Sequence, residues 1–179
     1  MYLEIDTSLE GVTVLLLALA WVNLLDAQRD PEVARELTRR CVAPRQVGWI
    51  YTRDLPRRDR WSTFVPLSKR TRASQPIKAD CEDQTAAHAA AIHLLEPARR
   101  VEVAITLPAP GQQAHAYCLV DGEVFDPCTW NGMGSPGADF YGSGETARLP
   151  LADPRLLFDF LRRLRPEEQE PLFRAIRGV

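Results

Sequence analysis

The sequence predicts an α+β protein, with helical segments at both ends and an antiparallel hairpin between them. Three observations carry that prediction. An apolar run, 12–25, follows Thr7 and Glu10, which stand at capping-box spacing and mark a helix start. Asp121-Gly122 separates two strand-like runs, and Asp-Gly is a preferred two-residue type I′ turn. Leu156, Leu157, Phe160, Leu161 and Leu164 fall on one stripe behind Asp153-Pro154, the pattern of a capped amphipathic helix.

The elements follow in order. A mostly buried helix is expected over 8–27. Asp30-Pro31 then reads as N-cap and first helical residue. Val33, Leu37 and Cys41 recur at i, i+4 and i+8, so a second helix runs to about Arg40. Residues 45–80 look irregular, apart from a short strand within 47–51. The stretch 53–72 holds seven Lys and Arg against two Asp. A solvated surface loop accounts for that charge; a phosphate or acidic-partner contact, with Trp61 and Phe64 stacking, is the functional alternative.

A helix is expected over 80–96, stopped by Pro97, and a strand over 101–107. The hairpin joins 114–120 to 123–126. Residues 131–144 carry five Gly and one Pro and should form a loop. The C-terminal helix begins at Asp153-Pro154, with a last helical piece at 172–176. At 179 residues the chain reads as one domain. Its N-terminal helical part is 1–45, its central core 46–150 and its C-terminal helical part 151–179.

Composition narrows the function classes. The formal net charge is −2, which argues against nucleic acid as a general partner. The basic side chains are Arg except for Lys69 and Lys78, which reads first as coding bias. The four cysteines lack a secretory signal, so a disulfide scaffold is not expected and a reducing compartment is the default. The apolar run 12–25 is shorter than the ~20 residues a membrane span needs. Acidic Glu4, Asp6 and Glu10 precede it where a signal peptide has basic residues. No membrane partner is expected, and the cytoplasm is the expected location.

The chemistry concentrates on three residues. Cys81 follows the N-cap candidate Asp80, so it stands where helix N–H groups and the dipole favour a thiolate; Glu82 and Asp83 oppose that effect. The hairpin register pairs Val120 with Glu123, Leu119 with Val124, Cys118 with Phe125 and Tyr117 with Asp126. Alternation then puts His115, Tyr117 and Asp126 on one face. His115 becomes the diagonal neighbour of Asp126, within reach of a hydrogen bond. An imidazole held by a carboxylate is the base-and-orienter half of a catalytic triad. Cys118 falls on the opposite face as a core thiol. That separation makes a zinc site from His115, Cys118 and Cys128 poor. His88 stands two turns past Cys81, about 10 Å away, and reads with His93 as a packing or surface residue.

Together these segments resemble a known family. Ala79-Asp80-Cys81-Glu82-Asp83 at a helix start, His115-Ala116-Tyr117 on a strand and Asp126-Pro127 on the next resemble the transglutaminase-like superfamily. The nearest type is the bacterial and phage-encoded transglutaminase-like cysteine proteinases. The resemblance covers about 79–130, under a third of the chain. It implies a papain-like core, in which the cysteine-bearing helix packs on a small antiparallel sheet carrying His and Asp. It further implies Cys81 as nucleophile, His115 as general base and acid, and Asp126 as orienting carboxylate. The reaction would be acyl transfer from an amide of a peptide or protein substrate, to water or to an amine.

Departures from the pattern are Ala79, where the family often has Gly, and Gln84-Thr85, where it often has an aromatic residue. Gln75 stands six residues before Cys81, an offset that resembles the oxyanion donor of papain-like peptidases, although Pro76 follows it. Gln46 and Trp49 are alternatives. No cofactor is expected. Some relatives hold calcium beside the cysteine, and Asp80, Glu82 and Asp83 could serve that role, but helix-start acids need no such reason.

A second class of function competes: a structural component of a phage head or tail that keeps this fold with or without activity. Its partners would be other virion proteins, and its location the host cytoplasm or the virion.

Overall fold

The computed structural model describes residues 9–42, 48–53, 61–72, 74–107, 114–135, 140–141 and 144–152. Thr7 and the helices expected beyond Asp153 lie outside them. Four α-helices are described: α1 Leu9–Arg29, α2 Pro31–Cys41, α3 Phe64–Lys69 and α4 Cys81–Leu95. The strands are β1 Trp49–Tyr51, β2 Ile77–Ala79, β3 Val101–Leu107, β4 His115–Val120, β5 Glu123–Phe125 and β6 Glu145–Pro150.

Helix α1 is apolar almost all round, so it is a core helix rather than an amphipathic cover. Leu16, Leu17 and Ala20 are fully buried against α4 and the sheet. Truncating either leucine to Ala would cost about 2–5 kcal/mol. Its length and hydropathy also suffice to cross a membrane, and 72% of that stretch is buried within the protein. The two polar residues in the run have partners. Thr13 Oγ1 donates to Leu9 O at 2.7 Å. Asn23 Oδ1 accepts from Phe64 N at 2.7 Å and so caps the start of α3.

Asp30 caps α2 as expected, accepting from Glu32 N at 2.9 Å. On the inner side of α2 the buried Arg40 pairs with Glu36 and donates to Gln75 O at 2.7 Å. One guanidinium thereby ties α2 to the chain entering β2. That strand pairs in parallel with β1, Tyr51 beside Ala79, an arrangement the irregular reading of 45–80 missed, along with α3. Tyr51 thus stands two residues from the start of α4.

Helix α4 carries an alanine run, Ala86, Ala87, Ala89, Ala90 and Ala91, all fully buried. Small side chains let it sit between α1, α2 and the sheet. The sheet is antiparallel, ordered β5-β4-β3-β6. Its hairpin turns at Asp121 (φ 55°) and Gly122 (φ 88°), the left-handed pair a type I′ turn requires. Register follows the expectation: Val120 with Glu123, Leu119 with Val124, Cys118 with Phe125. Val103, Ile105, Ala116, Cys118 and Val120 face α1 and α4. Ala104, Tyr117 and Leu119 form the other face, against Tyr141. The expected architecture, a cysteine-started helix on an antiparallel sheet, is therefore present.

Candidate active site

His115 and Asp126 meet on the sheet face that turns away from α4. His115 Nε2 lies 2.7 Å from Asp126 Oδ2, and both side chains are buried. The diagonal pairing of the hairpin sets this distance. Tyr141 donates its hydroxyl to the same Oδ2 at 2.7 Å. Cys128 N donates to Oδ1 at 3.0 Å. Burial pushes the Asp126 carboxyl up, but the bonds from His115, Tyr141 and Cys128 outweigh it and hold the group below the usual carboxylate range. Tyr117 stacks on the His115 ring at 6.3 Å and Phe140 meets its edge at 5.8 Å. Thr106 Oγ1 bonds both Tyr117 Oη and Thr146 Oγ1, at 3.0 and 2.9 Å, which fixes the stacking ring across three strands.

Cys81 opens α4 and is buried. Its thiol donates to Glu82 Oε2 at 3.1 Å. Among the described residues no hydrogen bond joins it to His115. Burial first, then the negative Glu82, pushes its pKa well above the ordinary thiol value. The helix start alone therefore does not make Cys81 a thiolate, because loss of water outweighs the modest effect of the dipole. One effect opposes the rise, the backbone N–H of Ala116 on β4. Strand β5 pairs β4 only at residues 118–120. By the alternation of ladder bonds, the Ala116 N–H points to the same edge, past the end of β5. Cys81 and Ala116 belong to one buried cluster, so the start of α4 packs close to β4 at Ala116.

Around the thiol, Cys118 and Cys128 share its core cluster, and Tyr51 and Trp61 pack against that cluster. Cys118 is fully buried on the face opposite His115, as expected, with its sulfur donating to Thr85 O at 3.5 Å. Burial raises the Cys118 and Cys128 thiols far above their usual range. The Tyr51 phenol is pushed up to about 12, by burial and then by Cys81, so it stays a hydrogen-bond donor at neutral pH. Gln75 is exposed, in the turn before β2, with its carbonyl on Arg40. Trp49 is buried beside Phe64 and His88, and Gln46 lies outside the described residues.

The buried glutamine near Cys81 is Gln84. Its Nε2 donates to Ala79 O at 2.9 Å and its Oε1 accepts from Asn131 Nδ2 at 2.7 Å. It locks the helix start to β2 and to the turn 129–133. Asp83 Oδ1 accepts from Ser62 N at 2.7 Å. Among the described residues no group of three or more His, Cys, Asp or Glu is placed to hold a metal ion.

Sequence reasoning missed Tyr51 and Tyr141. Tyr141 had a signal, since Phe140-Tyr141 is an aromatic pair inside an otherwise small and polar loop. Tyr51 had none, because its approach to Cys81 depends on the parallel pairing of two three-residue strands. Comparison with known families, with curated proteins and with solved structures finds no match to this chain.

Proposed function

We propose that the protein is a transglutaminase-like cysteine hydrolase or acyltransferase, acting on amide bonds of a peptide or protein through Cys81, His115 and Asp126. The observation that carries this reading is the buried 2.7 Å bond between His115 Nε2 and Asp126 Oδ2, with the α4 start brought to β4 at Ala116. Because Asp126 takes Nε2, Nδ1 is the nitrogen that serves the thiol.

In this reading the Cys81 thiol turns from Glu82 to His115 as the acyl group arrives. Its proton passes to Nδ1 and the sulfur adds to the carbonyl carbon. The oxyanion draws on the Cys81 backbone N–H, one of the unpaired donors at the helix start. The Tyr51 hydroxyl, rather than the exposed Gln75, supplies the second donor. His115 then protonates the leaving amine, the C–N bond breaks and a thioester remains. Water or an amine, deprotonated by His115, attacks the thioester and restores the thiol.

One observation favours the second reading, a structural phage component that keeps the fold without turnover. The resting thiol is protonated, buried and bonded to Glu82. Exposure to p-nitrophenyl acetate, followed by mass spectrometry of tryptic peptides, separates the two. The enzyme reading expects an acetyl group on Cys81 that decays with time and fails to form in His115→Ala. Absence of that adduct, or its equal formation in His115→Ala, would favour the structural reading.

A further inference from the structure

A cleft of about 1070 Å³ runs along α4, away from Cys81, between the outer edges of β1 and β5. Val42, Ile50, Leu95, Val124 and Trp130 border it. They are five of the six large hydrophobic residues found exposed among the described ones, and Trp130 is 65% exposed. Among the described residues, exposed large apolar side chains are therefore gathered at one place, the mark of a binding surface rather than of scattered surface residues.

The floor of the cleft holds a polar atom that, among the described residues, has no partner. His88 is only 3% exposed, yet it lines the cleft. Trp49 and Phe125 stand beside its ring, with centroids at 5.8 and 6.1 Å. Its Nδ1 lies 2.7 Å from Gln84 O. A carbonyl only accepts, so Nδ1 carries the hydrogen. Burial pushes the His88 pKa down to about 4, so the ring is neutral at pH 7 and Nε2 is an acceptor. Among the described residues no hydrogen bond reaches Nε2. A group bound beside His88 meets aromatic walls and, at Nε2, an acceptor that asks for a donor.

The walls and the charge define the occupant further. In a two-residue hairpin Val120 and Glu123 form the bonded pair, so the N–H and C=O of Val124 point outward. An unpaired strand edge takes an added strand. At the hairpin end, Glu96, Asp121 and Glu123 surround the Arg99 guanidinium, with Asp121 at 2.6 Å and Glu96 at 3.7 Å. That end carries net negative charge and matches a basic residue.

We propose that this cleft binds an extended peptide segment that pairs with the β5 edge at Val124, seats a tyrosine or tryptophan with its donor on His88 Nε2, and places a basic residue at the Glu96–Glu123 end. The proposal concerns binding alone and holds whether or not Cys81 acts on the bound chain.

The test uses the full chain and two blocked peptides, Ac-Lys-Val-Tyr-Val-NH2 and its Phe counterpart, with p-cresol as a small-molecule arm. ¹⁵N NMR reads the His88 ring nitrogens and the Val124 amide. The Tyr peptide is expected to shift both and to bind about fivefold more tightly than the Phe peptide, the worth of one neutral hydrogen bond. His88→Phe should equalise the two peptides. Equal binding of both peptides to the unmodified protein, or no shift at either site, would overturn the proposal. Binding of p-cresol as tight as that of the peptide, with Val124 unmoved, would overturn it in favour of a small aromatic ligand.

Discussion

His115 Nε2 and Asp126 Oδ2 are 2.7 Å apart, and Asp126 also accepts from Tyr141 and from Cys128 N. One carboxylate therefore orients the ring and ties Tyr141 to the sheet. These two duties are separable by substitution. Asp126→Asn keeps the shape but presents an amide that favours the wrong ring tautomer. In the enzyme reading it should lower acyl turnover by about 10⁴-fold, the loss typical of such a change. Asp126→Ala leaves three donors without an acceptor and should cost about 3 kcal/mol or more in urea unfolding. Full turnover in Asp126→Asn would remove Asp126 from the mechanism while leaving its structural duty intact.

Burial first, and then Glu82, which accepts from the thiol and repels the thiolate, holds Cys81 in its protonated form. Glu82→Gln removes the negative charge while keeping an acceptor. The Cys81 pKa should fall, and each unit of fall gives about tenfold more thiolate at a fixed pH below the pKa. Alkylation by iodoacetamide between pH 6 and 9, read peptide by peptide, checks this. Cys81 should react slowly in the unmodified protein and faster in Glu82→Gln, while Cys118 and Cys128 stay unreactive. An unchanged Cys81 rate would mean that burial alone sets its reactivity.

The contrast between His115 and Cys81 shows what a sequence carries. The His115–Asp126 pair was legible because local rules determine it: an Asp-Gly turn fixes the register, and alternation fixes the face. The span of α4 was legible for the same reason, since Asp80 and Pro97 bracket the helix. The state of Cys81 was not. The dipole and the adjacent acids are local, but burial against Ala116, Cys118 and Cys128 is tertiary, and burial dominates. Strand β6 was also missed. It ends in Pro150 and lies at the sheet edge, where proline is tolerated, and its sequence ETARLP gives no clear alternation. The parallel β1–β2 pair is too short to announce itself. Yet this pair brings Tyr51 beside the residues that lead into Cys81.

Arg40 provides a stability test remote from the proposed chemistry. It is 3% exposed, paired with Glu36 and bonded to Gln75 O. Arg40→Ala should destabilise the protein by about 3 kcal/mol or more, because a buried network loses its shared donor. Arg40→Lys should recover less than half, since an ammonium lacks the planar fork. Urea midpoints at pH 7 measure both. A change below about 0.5 kcal/mol in Arg40→Ala would mean that water replaces the guanidinium without loss.

His88 sets a pH dependence distinct from that of the carboxylates. Its folded pKa is about 4 against an ordinary 6.5, with burial the main cause, opposed first by the bond to the Gln84 carbonyl and then by Asp126. The unfolded chain therefore binds a proton in a range where the folded chain does not. Stability rises with pH wherever the unfolded state holds more protons. The contribution is present above about pH 6.5 and is lost as pH falls toward 4, by about 3 kcal/mol in all at 1.36 kcal/mol per unit. Asp126, held low by its donors, keeps its own contribution until the pH falls below the usual carboxylate range. Asp26, raised by burial, works in the other direction and gains stability as acid is added. The slope between pH 6.5 and 4 is therefore best read as a difference between unmodified protein and His88→Phe, which cannot titrate. Urea unfolding at half-unit intervals should show the unmodified protein losing stability relative to the variant across that window, and only there. Parallel curves for the two proteins would mean that the His88 ring accepts a proton in the folded state as readily as in the unfolded chain.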